Sequence, residues 1–222
     1  MSQNAPVLAI DGPSGAGKGT ISRELAKRLG WHYLDSGAIY RALAVEMMNL
    51  ESSHLNEAAA IEVAARMDLR FEFDPAFAVL LSSRNISDRI QSEACGNLAS
   101  QLAAMPGVRK ALIEKQRAFR RQPGLVADGR DMGTVIFPDA RFKIFLTANP
   151  GIRAERRLKQ LKEKEMDVTL EQIISDLLER DRRDQTRANA PLRQAEDALL
   201  IDSSEMTIDQ VVARVANVVR GR

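Results

Sequence analysis

Cysteine is almost absent from this chain: Cys95 stands alone, and His32 and His54 are the only histidines. A single thiol rules out an intramolecular disulfide, and three such side chains cannot supply a four-ligand Cys/His zinc cluster. Cys95 therefore reads as a small buried residue. Long apolar runs are lacking too. The first, Val7–Ile10, stops at Asp11, and no basic segment precedes it, so neither a signal peptide nor a membrane span is expected. Nor is there an excess of charge of one sign: 32 Lys and Arg face 30 Asp and Glu, and a net +2 makes no electrostatic case for nucleic acid. Repeats and low-complexity tracts are missing as well. The expectation is a soluble cytoplasmic protein, monomeric for want of a long exposed apolar stripe.

What is there suits a folded globular domain. A hydrophobic fraction of 45% supports a sizeable core, and 222 residues fit one compact α/β domain carrying an insertion. The chain is organised around Val7–Asp11 followed by Gly12-Pro13-Ser14-Gly15-Ala16-Gly17-Lys18-Gly19-Thr20. A short apolar strand breaks into a glycine-rich turn, and a helical pattern (Ile21, Leu25, Leu29) follows. Gly12, Gly17 and Lys18 satisfy the G-x-x-x-x-G-K phosphate-loop spacing. Glycines let backbone N–H groups converge on phosphate oxygens, the helix N-terminus adds its dipole, and Lys18 adds a full charge. One departure stands out. Gly19 occupies the place where this loop usually has Ser or Thr, so Mg²⁺ is expected to be held by nucleotide oxygens and waters rather than by a loop hydroxyl.

Downstream, Gly30 caps the first helix, residues 31–35 form a strand, and Ser36 is placed as N-cap of a helix bearing Tyr40, Leu43 and Met47 on one face. A weaker helix spans roughly 55–67. Alternation in Leu69–Phe73, a turn at Asp74-Pro75 and the apolar 77–81 predict a β-hairpin, an antiparallel insertion within about 50–95. Helices at 91–103 and 107–121, strands at 124–129 and 142–146, helices at 151–165 and 169–187, a strand at 198–201 and a helix at 207–220 complete the pattern. Strands alternating with helices predict a parallel sheet covered on both faces, with ligands at the strands' carboxyl ends.

Those ends carry the phosphate loop, Asp35-Ser36, and Asp128-Gly129-Arg130-Asp131. An apolar strand ending in Asp128 has the form of the Mg²⁺-holding carboxylate of phosphate-loop enzymes, and also of an ordinary turn cap. Arg180, Asp184 and Arg187 fall on one helical face, as do Arg153 and Arg157 with Arg156 beside them. Glu155, Glu179 and Asp181 between them favour a solvated face for any single arginine. Taken together, several guanidinium groups suit the neutralisation that phosphoryl transfer demands. Residues 160–167 lack apolar periodicity and are expected to act as a mobile lid.

The phosphate loop, Leu34-Asp35-Ser36-Gly37-Ala38-Ile39-Tyr40-Arg41, Asp128-Gly129-Arg130-Asp131-Met132-Gly133-Thr134-Val135, and the later Arg187–Leu192 and Leu200–Ser203 together resemble the bacterial cytidylate kinases over nearly the whole length. The resemblance implies a three-layer P-loop nucleoside monophosphate kinase fold: a five-stranded parallel core (1–35, 104–150, 188–222), an acceptor lobe with a β-containing insert (36–103), and a short lid with flanking helices (151–187). It implies transfer of the γ-phosphate of ATP to CMP, and to dCMP, in pyrimidine metabolism. ATP phosphates are expected in the loop from Gly12 to Thr20, with Mg²⁺ carried by ATP and Asp128 holding it through water. Ser36, Arg41 and Arg130 are expected on the CMP phosphate. Ser100, Arg109, Asp131 and Arg187 are expected on the cytosine, and Arg180 and Asp184 on the ribose. Lys18, Arg130, Arg153 and Arg157 are implied in catalysis, with Arg156 also in the lid. A carboxylate at 131 gives the base assignment a physical reason: it accepts from the N4 amino group of cytosine and repels the O4 carbonyl of uracil. Two other readings are set against this one. The first is a kinase for UMP, AMP or a non-nucleotide acceptor on the same scaffold, and the second is a nucleotide-sensing switch that transfers nothing.

Overall fold

A computed structural model describes residues 5–50, 56–73, 77–163 and 168–221. In chain order the elements are β1 (Val7–Asp11), α1 (Lys18–Leu29), β2 (His32–Asp35), α2 (Ser36–Asn49), α3 (Glu57–Arg66), β3 (Leu69–Glu72), β4 (Ala78–Leu81), β5 (Arg84–Asn85), α4 (Glu93–Ala104), α5 (Pro106–Arg117), β6 (Leu125–Gly129), β7 (Phe142–Thr147), α6 (Pro150–Lys162), α7 (Leu170–Thr186), β8 (Leu199–Asp202) and α8 (Ile208–Arg220). A five-residue π-helical segment, Met132–Ile136, follows β6. The expected turn at Asp74-Pro75, the start of the 55–67 helix and the end of the expected lid (164–167) lie outside the described residues.

Two compact units divide the chain, one of residues 1–33 and 120–222, the other of residues 34–119. The first is built on a five-stranded parallel sheet in the order β2-β6-β1-β7-β8. Every residue of β1 is buried, as an interior parallel strand requires, so its sequence is apolar without alternation up to the terminal Asp11. Registers of Asp11 with Gly129 and with Phe145, and of Thr147 with Asp202, bring the strand ends to one edge of the sheet. The loops leaving β1, β6 and β7 therefore start side by side. In this unit α6 and α7 pack through Ala154, Leu161, Ile173 and Leu177, with Leu158 and Ile174 against them. Each large side chain buried there contributes about 1.5–3 kcal/mol, which fixes two otherwise charge-dense helices to each other. A capping box at Thr169 and Gln172 starts α7, and Asn149 with Pro150 starts α6.

In the second unit the expected hairpin is present and is extended to an antiparallel sheet of three strands, β3-β4-β5. Ser82 and Ser83, both with positive φ (48° and 64°), make the two-residue turn into β5. Phe71 anchors this sheet, stacked on Phe77 at 6.1 Å and tilted on Phe119 at 5.4 Å.

Candidate active site

The loop after β1 can form only with glycine at its corners. Gly12 has φ +152°, and a Cβ there would stand 1.9 Å from the carbonyl oxygen of Leu146. At Gly15, φ +75°, a Cβ would meet that of Arg153 at 3.0 Å. Gly17 is the N-cap of α1 and offers no side chain to the first turn, which contains no acidic residue. That turn is left to an external anion. Lys18 is buried, and its Nζ donates to the Pro13 carbonyl at 2.8 Å. Burial first, and then the Arg130 charge, push the Lys18 ammonium down to about 7. The charge of an arriving phosphate would offset both effects.

Ser14, in the middle of the loop, is held by two arginines. Arg130 Nη2 donates to its Oγ at 2.7 Å and Arg153 Nη1 to its carbonyl at 2.8 Å. Each arginine is in turn matched by a carboxylate one turn apart on α7: Arg130 Nε with Asp184 at 2.8 Å, and Arg153 Nη1 with Asp181 at 2.6 Å. Burial works against the Arg130 charge, but the charge and hydrogen bond of Asp184 more than offset it, so the guanidinium is held even more firmly protonated. For Asp184 burial likewise opposes ionisation, and the charges of Arg130 and Arg180 overcome it, holding the carboxyl below its ordinary range. Arg187 Nη2 donates to Asp131 Oδ1 at 3.4 Å, both side chains being almost fully buried.

Around this cluster stand two carboxylates at strand ends. Asp128 Oδ2 accepts from the Tyr33 hydroxyl at 2.6 Å, and a Cβ on Gly19 would lie 3.9 Å from that oxygen. Asp11 accepts from the N–H groups of Met132 and Gly133, each at 2.8 Å, and burial pushes it up to about 6 against the pull of those bonds.

Within the unit of residues 34–119, Ser36 Oγ donates to Gln116 Oε1 at 2.8 Å, and Arg41 Nη1 donates to the Ile90 carbonyl. Arg109 is buried and donates to the Tyr40 hydroxyl at 3.4 Å and the Ala103 carbonyl at 3.3 Å. Ser100 Oγ is buried without a hydrogen-bond partner among the described residues. A buried hydroxyl left unsatisfied is costly, which is what a ligand contact at this position would repair.

The family model for cytidylate kinase matches residues 8–221. A cytidylate kinase from Methylococcus capsulatus is 57% identical over 99% of this chain and 99% of its own length. Those of Aeromonas salmonicida and Klebsiella pneumoniae are 54% and 50% identical, over 97% and 99% of this chain and 94% and 97% of theirs. The chain belongs to the cytidylate kinase family.

In this cytidylate kinase family member, two local expectations give way to the geometry. Asp35, not Ser36, is the N-cap of α2 and accepts from the Ala38 N–H, which frees the Ser36 hydroxyl for Gln116. Arg187 keeps to the face of Arg180 and Asp184 as the C-cap of α7: its φ of −60° is helical and its N–H donates to the Arg183 carbonyl, and only the chain beyond it leaves the helix. Asp181, read from the sequence as part of a solvated face, is buried against Arg153. Arg153 itself lies behind the phosphate loop, with Nε on the Ala148 carbonyl at 3.1 Å and only 4% of its surface exposed. Arg156 donates to the Ser203 carbonyl at 2.6 Å and to its Oγ at 3.1 Å. Asp11, Tyr33 and Asp181 were not singled out in the sequence as site residues. A carboxylate ending an otherwise apolar buried strand is the one signal that pointed to Asp11.

Proposed function

We propose that this chain transfers the γ-phosphate of ATP to CMP, and to dCMP, giving CDP or dCDP and ADP. The observation that carries this reading is the adjacent pair Arg130 and Asp131, which lies beside the phosphate loop with one member on Ser14 and the other on Arg187. A cation for the acceptor phosphate and an anion for a base amino group follow each other in the chain.

In this reading the loop from Gly12 to Thr20 binds the phosphates of ATP, and Lys18 regains its full charge on them. Ser36, Arg41 and Arg130 hold the acceptor phosphate, exchanging their present partners for its oxygens. Ser100, Arg109, Asp131 and Arg187 read the cytosine, and Arg180 and Asp184 take the ribose. An oxygen of the CMP phosphate forms the new bond to the γ-phosphorus as the bond to the β-phosphate bridging oxygen breaks, and ADP leaves with that electron pair. The acceptor oxygen is already anionic, so no general base is needed. Catalysis is positioning and charge neutralisation by Lys18, Arg130 and Arg157, with Arg153 acting from behind the loop through Ser14.

Mg²⁺ enters with ATP. Gly19 brings no hydroxyl, and the carboxylate beside it, Asp128, is a hard oxygen donor whose position suits a cation otherwise ligated by nucleotide and water. Asp128 would hold the ion through water and Tyr33 would orient Asp128; the ion would supply positive charge to the ATP phosphates.

The test is ADP release with ATP, Mg²⁺ and each nucleoside monophosphate in turn, on the wild type and Asp131→Ala. CMP and dCMP should be the strong acceptors, and the variant should lose far more activity on CMP than on UMP. Equal losses on the two would overturn the base assignment. Turnover of AMP or UMP above CMP would overturn the substrate.

A further inference from the structure

We infer that Asp11, at the end of β1, is a positioning residue for nucleobase selection: its carboxylate fixes the Arg130-Asp131 dipeptide by binding the chain on the far side of it. The inference rests on the assignment of Asp131 to the cytosine.

β6 ends at Gly129, which is in register with Asp11 itself. The chain then makes Arg130 and Asp131, the latter neither helical nor extended (φ −148°, ψ 25°), and enters the π-helical segment. In that segment Val135 and Ile136 N–H donate to the Asp131 carbonyl and Phe137 N–H to that of Met132. The N–H groups of Met132 and Gly133 come too early to find an acceptor within the segment. Asp11 takes both, Oδ1 from Met132 and Oδ2 from Gly133, each at 2.8 Å. The dipeptide is thus anchored at both ends to one residue, by the β1–β6 pairing before it and by the Asp11 side chain after it. Only a carboxylate offers two acceptor oxygens in this geometry. Asparagine would turn its NH₂ on one of the two N–H groups, and a hydrophobe would leave both unsatisfied in a buried site. On the other side Arg187 meets the Asp131 carboxylate at 3.4 Å. Asp11 therefore sets where Asp131 is anchored. The hydrogen bonds of its side chain go to the segment after β6, and the longer-range charge of Lys18 is what ties it to the phosphate loop, so its loss should weigh more on acceptor selection than on ATP binding.

The experiment compares Asp11→Asn, Asp131→Asn and wild type by steady-state kinetics on CMP and UMP at saturating ATP. Asp11→Asn should lower kcat/KM for CMP about tenfold or more, chiefly through KM, and lower that for UMP far less. The KM for ATP should change much less than that for CMP, since Asp11 reaches the loop only through the Lys18 charge. A residue needed only for folding would reduce both acceptors alike through the active fraction, and that result overturns the inference when Asp131→Asn does collapse the CMP/UMP ratio. A ratio left intact by Asp131→Asn instead removes the base assignment, and the inference with it. Amide hydrogen exchange on the wild type tests the same point without a variant. The Met132 and Gly133 amides should exchange slowly in the free protein, and more slowly with CMP than with UMP; exchange at the rate of open amides would overturn the anchoring role.

Discussion

Substituting Asp181 by Asn should damage both the stability of the larger unit and the affinity for ATP. Arg153 and Asp181 form a contact of 2.6 Å with side chains only 5% and 11% exposed. Asp181 Oδ1 has no hydrogen-bond partner among the described residues, so the pair is held through Oδ2 alone. Removing one charge leaves a guanidinium buried without its counter-ion, a loss of about 3–5 kcal/mol. The retained amide oxygen still accepts from Arg153, which places the expectation near the lower end, at about 3 kcal/mol. For a protein of this length that corresponds to a fall in Tm of about 6–12 °C.

Trp31, the only tryptophan, belongs to the same unit and lies against Gly124, where a Cβ would meet the indole at 2.4 Å, so its fluorescence follows that unit's unfolding. In urea the Trp31 transition should move down, and the double variant Asp181→Leu/Arg153→Met should recover most of the stability but not the function, because an apolar pair packs without a stranded charge. The functional arm follows from Arg153 Nη1, which also donates to the Ser14 carbonyl. A loosened Arg153 loosens the phosphate loop, so KM for ATP should rise in both variants while KM for CMP changes less. An unchanged Trp31 transition together with an unchanged KM for ATP in Asp181→Asn would refute the reasoning, because Arg153 would then hold the loop unaided.

Gly12→Ala should abolish ATP binding in a titration with a non-hydrolysable analogue, because its Cβ would fall 1.9 Å from the Leu146 carbonyl oxygen at a φ of +152°; binding at wild-type strength would show that the loop relaxes freely. With Lys18 lowered to about 7, ATP binding at pH 8 should take up close to one proton as the ammonium recharges on the phosphates. Calorimetry in buffers of different ionisation enthalpy reads that uptake; it should vanish in Lys18→Ala, which should also lose turnover, and buffer-independent heats in the wild type would contradict it. The two buried acids act on stability with opposite signs. Asp11, raised from 3.8 to about 6, binds its proton more tightly when folded, so its contribution should fall by about 2 kcal/mol as pH rises from 4 to 6, seen as a wild-type slope that Asp11→Asn lacks. Asp184, held below its ordinary value, contributes stability above that value and loses it as pH falls through its folded pKa, so the deficit of Asp184→Asn against wild type should shrink in acid.

What could be read from the chain was what local rules decide. A strand, a glycine corner and a helix lie within two dozen residues, and Gly30 ends α1 in the left-handed conformation its position called for. β5 was invisible because its turn uses Ser82-Ser83 at positive φ, where Asn or Gly would have announced a hairpin. Asp35 and Ser36 are both competent caps, and the choice between them is made by Gln116, 80 residues further on, which takes the Ser36 hydroxyl. The arginine–carboxylate pairings likewise join residues far apart in sequence, Arg130 to Asp184 and Arg153 to Asp181, and no periodicity names a partner at that distance. Yet α7 held more than its charge density suggested. Its buried positions, Ile173, Leu177, Asp181 and Asp184, are spaced four, four and three residues apart, a single helical face on which the apolar stripe continues into two acids. Acids that fall on an apolar face must turn inward, and inward acids require cations. The stripe therefore already demanded two buried arginines opposite α7, and the phosphate loop is where this protein spends them, on the two sides of Ser14.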